Sequence, residues 1–479
     1  MPLTRKLITL ACTLLTLEVA HAQDRACNCP QNLDTLIART ERNYAGFPAK
    51  AQGPNQEAYE RLKGSLRENA AQFTAPRNCF YLLREYVRFF YDSHFSLSYY
   101  DPADRDTQTV KLSEAQFKKE LQVRKRRAIE GIWVNPDSSL TLAIRRAAGE
   151  SYQGIVLSSK DPGLKPGQVY MTIRPGQRGL TVTYYNSFSS TRYPMKRKGN
   201  LLQGWSDDLF GRIYPQPMSA VEQEELASWR NGNHGLRIYA LSPRTVVLRV
   251  PSFANNDAQI AELVARHDAL IRSADNLIVD LTGNGGGSTG WVSFLPYFQT
   301  GPIVQQNGFL RVSPGNIPLK LADIEPFVSN PIPPEYTKYF PDTVLAQYKK
   351  AYQELPTTKD AFYPVPGVVF PLDSVTAKPK KIALLVDELC GSSTEYFFFL
   401  SKASGKTTRY GLPTFGMMDY EGAASVALPY DKFRVSIPIV KSSWTDKAPI
   451  DKTGFRPDVL LDQVPPEAWI RHVQGLMER

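Results

Sequence analysis

Histidine and cysteine are scarce in this chain, five of each in 479 residues. Zinc sites built on thiolates need paired Cys or Cys/His spacings. The one C-x-C, Cys27 and Cys29 in "ACNCP", has neither a second pair nor a neighbouring histidine, so no metal or cofactor is expected. Nor is there a bilayer-spanning segment at the N-terminus: the apolar run Leu7 to Leu17 is too short, and Glu18 interrupts it. Basic residues exceed acidic ones by ten, but they are scattered apart from short clusters such as "KKELQVRKRR". Without an aromatic-interleaved basic stripe, nucleic-acid binding is not indicated, and a solvated basic face accounts for the excess.

What the first residues do carry is the pattern of a secretory leader. Arg5 and Lys6 give the basic start, Leu7 to Leu17 the apolar centre, and Ala20-His21-Ala22 an A-x-A cleavage site. Residues 1–22 are expected to be removed, leaving a net charge of +9, no integral membrane segment and an exported chain, periplasmic or secreted. Cys12 precedes the cleavage site and comes too early for lipid attachment. In an oxidising compartment Cys79 is expected to pair with Cys27 or Cys29. Cys390 stands alone and reads as a small buried residue.

The chain divides into three regions after the leader. Residues 23–125 place apolar residues at three- and four-residue intervals, as in "CFYLLREYVRFFYDSHF", and read as helical. Residues 126–235 switch to short β-rich runs such as "LTLAIRRA" and "QVYMTIRP", an accessory domain of the small-barrel or divergent PDZ-like kind. Residues 236–479 alternate strands and helices, an α/β core with a parallel or mixed sheet, interrupted at about 301–380 by an insertion with one helix near 343–354.

Two strand-to-helix junctions carry the chemistry. In "IVDLTGNGGGSTG" three consecutive glycines follow a buried strand, so backbone N–H groups can crowd a ligand that a Cβ would block. The spacing is not G-x-G-x-x-G, and "ASGKT" at 403–407 lacks the glycine that a phosphate loop needs at 400. In "LLVDELCGSSTEYFFF" Ser392 and Ser393 fall at the N-terminus of a helix, where unpaired N–H groups and the helix dipole stabilise an oxyanion. On local pattern alone the serines are equally an N-cap with Glu395 near the capping-box position. Neither S-x-x-K nor G-x-S-x-G surrounds them.

"VDLTGNGGGS", "LLVDELCGSSTEYFFFLSK" and "TRYGLPTFGMMDY", in that order, resemble the S41 (C-terminal processing, tail-specific) serine peptidases over about 236–479. The resemblance implies a ClpP/crotonase-like mixed sheet with helices and hydrolysis of peptides or unfolded protein without a cofactor. Glu395 anchors the register that makes Ser392 the nucleophile, with Ser393 and Gly286 or Gly287 lending N–H groups to the oxyanion hole. Met417 stands after "TFG", where the Ser–Lys branch has its lysine, and Thr282 replaces an arginine common in the family. Methionine accepts no proton, and Lys441, the next candidate, has no family counterpart. The tricorn-like branch uses an upstream Ser–His pair and a late acid. "FYDSHFSL" supplies Ser93 and His94, and "PIDKTGFRPDV" supplies Asp451. His94 is therefore expected to be the base, with Ser93 and Asp451 orienting or polarising it. The reading from another class is a non-catalytic binding protein for peptides or other ligands that kept the fold and lost the lysine.

Overall fold

Both chemical junctions sit at the carboxyl ends of two adjacent parallel strands, Asn276–Asp280 and Lys381–Val386. The computed structural model describes residues 26–101, 108–123, 128–176, 179–186, 188–205, 208–305, 308–372 and 374–479. The expected leader and Cys12 lie outside them. The two strands are central in a six-stranded sheet, ordered Arg237–Ser242, Thr245–Arg249, Asn276–Asp280, Lys381–Val386, Thr407–Gly411, Val459–Leu460. The first pair is antiparallel and the rest are parallel. Helices or loops cover both faces, so Thr245–Arg249 and Asn276–Asp280 are buried at every position. That is why their sequences read as continuous apolar runs rather than alternating ones. Ligand crevices form beyond the carboxyl ends of such strands.

A second sheet brings the N-terminal region to this crevice. Phe433–Lys441 pairs antiparallel with Tyr420–Ala427 on one side and with Ser96–Tyr99 and Gly308–Arg311 on the other. The register Ser96↔Ser436 to Tyr99↔Phe433 fixes the segment just after His94. Before it, helices Cys29–Asn43, Gln56–Ala70 and Pro76–Arg88 pack an aromatic core of Tyr44, Tyr59, Phe80, Tyr86 and Phe90 against Val435 and Ile437 of that sheet. Asn28 caps the first helix by accepting from Gln31 N–H at 3.0 Å, and Pro30 occupies its first turn. A disulfide joins Cys29 to Cys79, with Cα atoms 5.4 Å apart, and Cys27 is a buried free thiol.

Between these parts, the eight strands from Gly131–Val134 to Leu209–Tyr214 close into a barrel. Its strands alternate with a period of two: Leu140, Leu142 and Ile144 point into an interior with Trp133, Met171 and Phe210. Ala143, Ile155 and Val169 lie in a separate cluster with Phe117 and Leu121 of helix Glu114–Val123.

The segment 301–380 holds the expected helix, Asp342–Glu354, and a second one, Asn316–Ser329. Pro318 and Pro326 hide the second from a sequence reading. Pro318 lies in the first turn, where a missing N–H costs nothing, and Ile324 is buried in the cluster with Val344 and Tyr348. Among the described residues no helix is long and apolar enough to cross a membrane.

Candidate active site

Strand Lys381–Val386 ends in a loop whose every turn is tied to the glycine loop beside it. The buried Asp387 accepts from Gly283 N–H at 2.9 Å and Leu389 N–H at 3.1 Å. Cys390 donates its thiol to Leu281 O at 3.0 Å, and Gly391 N–H reaches Asn284 O at 3.2 Å. Burial pushes that thiol up, so Cys390 is a packing residue. Asn284 is the hub. Its Oδ1 accepts from Gly286 N–H at 2.9 Å and Thr394 Oγ1 at 2.8 Å, while its Nδ2 donates to Val250 O at 2.8 Å.

Ser392 follows with φ 52° and ψ −123°. Such a backbone is strained for any residue with a Cβ and persists only when its surroundings over-determine it. Helix Ser393–Ser401 starts immediately after it. Glu395, fully buried, accepts from Ser392 N–H at 3.3 Å, Thr414 Oγ1 at 2.6 Å, Gly416 N–H at 2.7 Å and Met417 N–H at 3.0 Å. Burial raises its carboxyl to about 7, although these four donors pull the other way. Glu395 thus makes the return bond of a cap and also fastens the "TFG" turn to the serine. The Met417 side chain packs against the loop at Gly391, where an added Cβ would lie 2.9 Å from its Sδ.

His94 Nε2 lies 3.1 Å from Ser392 Oγ, and His94 Nδ1 lies 2.8 Å from Tyr420 O. A backbone carbonyl only accepts, so Nδ1 carries the proton and donates, and Nε2 is left to accept from the serine hydroxyl. The His94 backbone is pinned by its N–H to Asp92 Oδ1 at 2.9 Å, and Asp92 Oδ2 accepts from Tyr44 at 2.7 Å.

The Ser393 hydroxyl has other duties: it donates to Ser288 O at 2.5 Å and accepts from Trp291 Nε1 at 3.1 Å. Its backbone N–H has no acceptor among the described residues, and neither does that of Gly287. Gly286 differs, because its N–H is engaged by Asn284. A Cβ on Gly286 would lie 2.8 Å from Ser392 Cβ, and one on Gly287 2.4 Å from Phe253 O. With φ of 94° and 134°, both positions suit glycine alone.

Ser93 is exposed and makes no hydrogen bond to His94; the orienting acceptor is the Tyr420 carbonyl. Asp451 lies further back. It pairs with Lys50, its N–H donates to Asp419 Oδ2 at 2.7 Å, and its own Oδ1 is buried without a partner. Burial, opposed by Lys50 but reinforced by the charges of Asp92 and Asp419, lifts Asp451 to about 7. Lys441 donates to Asp446 at 2.6 Å, not to Ser392, and His267, which caps helix Asp257–Arg266, bonds through Nδ1 to Leu263 O at 2.9 Å. Among the described residues no cluster could hold a metal ion.

Several site neighbours had no local signal in the sequence. Lys196 reaches from the barrel to Asp387 and Glu388, each at 3.2 Å. Trp205, also of the barrel, stacks on Tyr193 with centroids 5.6 Å apart and meets Phe415 at 4.7 Å. Its ring leaves no room for a Cβ at Gly285 or Gly391. Asp92 and Lys50 were missed as well, since a lone charge in a helical stretch is ordinarily solvated.

No curated protein matches the chain. Among solved structures, that of mature CPAF is similar, with a TM-score of 0.55 at 11% identity over 94% of this chain and 96% of that one. The structure of mature CPAF complexed with lactacystin gives 0.54 at 12% identity over 94% and 97%. At such identities the likeness is one of fold. Residues 244–461 match the family model described as Peptidase family S41. That span holds the strand–glycine loop, the strained serine turn and the "TFG" turn, so the part of the chain that carries the candidate site is similar to peptidase family S41.

Proposed function

We propose that this chain is an exported serine peptidase that cleaves within peptides or unfolded polypeptides, with Ser392 as nucleophile and His94 as general base. The observation that carries the reading is the relay Ser392 Oγ–His94 Nε2 at 3.1 Å with His94 Nδ1–Tyr420 O at 2.8 Å. Ser392 Oγ attacks the scissile carbonyl as its proton passes to His94 Nε2. The carbonyl oxygen takes the electron pair and accepts from the free N–H groups of Gly287 and Ser393 at the positive end of helix Ser393–Ser401. Collapse breaks the C–N bond, and His94 returns its proton to the leaving amine. Water, deprotonated by the same imidazole, then releases the acyl group as a carboxylic acid and restores Ser392.

Behind His94, the charges of Asp92 and Asp419 act on Asp451, which pairs with Lys50. Asp92 acts as a positioning residue through the His94 backbone; Ser93 has no part in the mechanism. Export is supported by the leader pattern in 1–22 and by the disulfide Cys29–Cys79. Incubating the protein with a serine-reactive phosphonate probe and an unfolded protein tests the reading. Labelling at Ser392 together with fragmentation is expected; neither occurring in the wild type leaves a non-catalytic member of the family.

A further inference from the structure

Helix Pro76–Arg88 and the barrel strands Val169–Gly176, Gly179–Asn186 and Ser189–Lys198 enclose a cavity of about 340 Å3 that includes none of the residues around Ser392. Four arginines line it, Arg84 and Arg88 from the helix and Arg174 and Arg192 from the barrel. No aspartate or glutamate does. Among the described residues none of the four makes an ion pair, whereas Arg249 of the same chain meets Asp280 at 2.7 Å and Glu225 at 2.8 Å.

Arg88, Arg174 and Arg192 are exposed and Arg84 is part-buried, and two separate parts of the fold bring these cations to one concavity. Arg84 is held there, donating to Ser190 Oγ at 2.8 Å and Ser190 O at 3.3 Å, with its guanidinium 4.7 Å above the Tyr81 ring. Burial and the neighbouring Arg88 charge lower its pKa, the signature of a desolvated cation lacking a counter-ion. Like charges so placed repel unless an anion lies between them. The planar guanidinium fork matches phosphate oxygens two at a time, and the hydroxyls of Thr181 and Thr183 add donors at the wall.

We propose that this cavity is a binding site for a small, multiply charged oxyanion of the phosphate class. Four cations call for a ligand with at least two negative charges, and one longer than a single phosphate can reach both the helix and the barrel. The helix leads into the segment carrying His94, and Arg192 precedes Tyr193, which stacks on Trp205 above the serine loop. The ligand therefore clamps the two parts of the fold that flank the active site.

Calorimetric titration of the whole chain with inorganic diphosphate, at constant ionic strength and beside monophosphate and chloride, tests this. Diphosphate is expected to bind saturably with one site and more tightly than monophosphate, equally in the wild type and in Ser392→Ala, so the result does not depend on catalysis. Arg88→Gln with Arg192→Gln should weaken it about a hundredfold, as two charge-assisted contacts are lost. The same double variant should melt no lower than the wild type, because it relieves repulsion rather than breaking a pair; Arg174→Gln is the second variant, expected to weaken binding about tenfold. Diphosphate heats no larger than those of chloride, or equal binding by both variants, overturn the proposal.

Discussion

His94 Nε2 lies 3.1 Å from Ser392 Oγ although 298 residues separate them in the chain. The contact exists because strand Ser96–Tyr99 is zipped to Phe433–Lys441, while Tyr420, whose carbonyl holds the other face of the imidazole, begins the strand on the opposite side. One element, Phe433–Lys441, therefore sets both His94 and the carbonyl that orients it.

The two serines should separate cleanly. Ser392→Ala should abolish labelling by a serine-reactive probe and hydrolysis. Ser393→Ala keeps its backbone N–H and loses only the bonds to Ser288 and Trp291, so it should still label, at a stability cost of about 1 kcal/mol. Normal labelling of the Ser392→Ala protein would mean that the nucleophile lies elsewhere.

His94→Ala should lose on the order of a hundredfold or more in turnover, read from progress curves on an unfolded protein. Ser93→Ala should be close to wild type, because the orienting acceptor is the Tyr420 carbonyl, which no side-chain substitution removes. A dead Ser93→Ala enzyme with intact folding would reinstate that hydroxyl in the relay.

Asp451 makes stability depend on pH. Its carboxyl is lifted to about 7 in the fold, against an ordinary value of 3.8, so the folded chain holds a proton that the unfolded chain releases. The contribution is neutral below about pH 4, becomes increasingly unfavourable as pH rises towards 7 and is constant above. Asp451→Asn should remove on the order of 2 kcal/mol of the stability that the wild type loses between about pH 4.5 and 8, since neighbouring carboxyls share the titration. Urea unfolding at the two pH values checks it; identical pH slopes would contradict a raised Asp451 carboxyl in the fold.

Lys196 ties the barrel to the loop before Ser392. Burial alone would disfavour ionising Asp387, but Lys196 and Lys198 with the Gly283 N–H hold it below the ordinary range. Lys196→Met should strand a buried carboxylate and cost about 3–5 kcal/mol, measured by chemical denaturation. If activity fell without any loss of stability, the lysine would be acting on the site directly rather than through the joint.

The sequence by itself determined the local form of the two junctions. Three glycines after one buried strand, and a serine pair with Glu395 three positions after Ser392, imply backbone donors at a helix start, because only local backbone geometry is involved. It also excluded the lysine dyad at Met417, since a thioether takes no proton. Only the tertiary structure decided which groups meet at Ser392. Gly286 and Gly287 look alike in sequence, but Asn284 engages the N–H of the first and leaves the second free. Ser93 and His94 are neighbours in sequence, yet in the segment leading into strand Ser96–Tyr99 only His94 reaches Ser392, while Ser93 lies in solvent. Lys50, Asp92, Lys196 and Trp205 come from regions whose periodicity speaks of helix or strand alone. Their roles arise from contacts between distant segments, and local pattern carries no record of what lies across a packed joint.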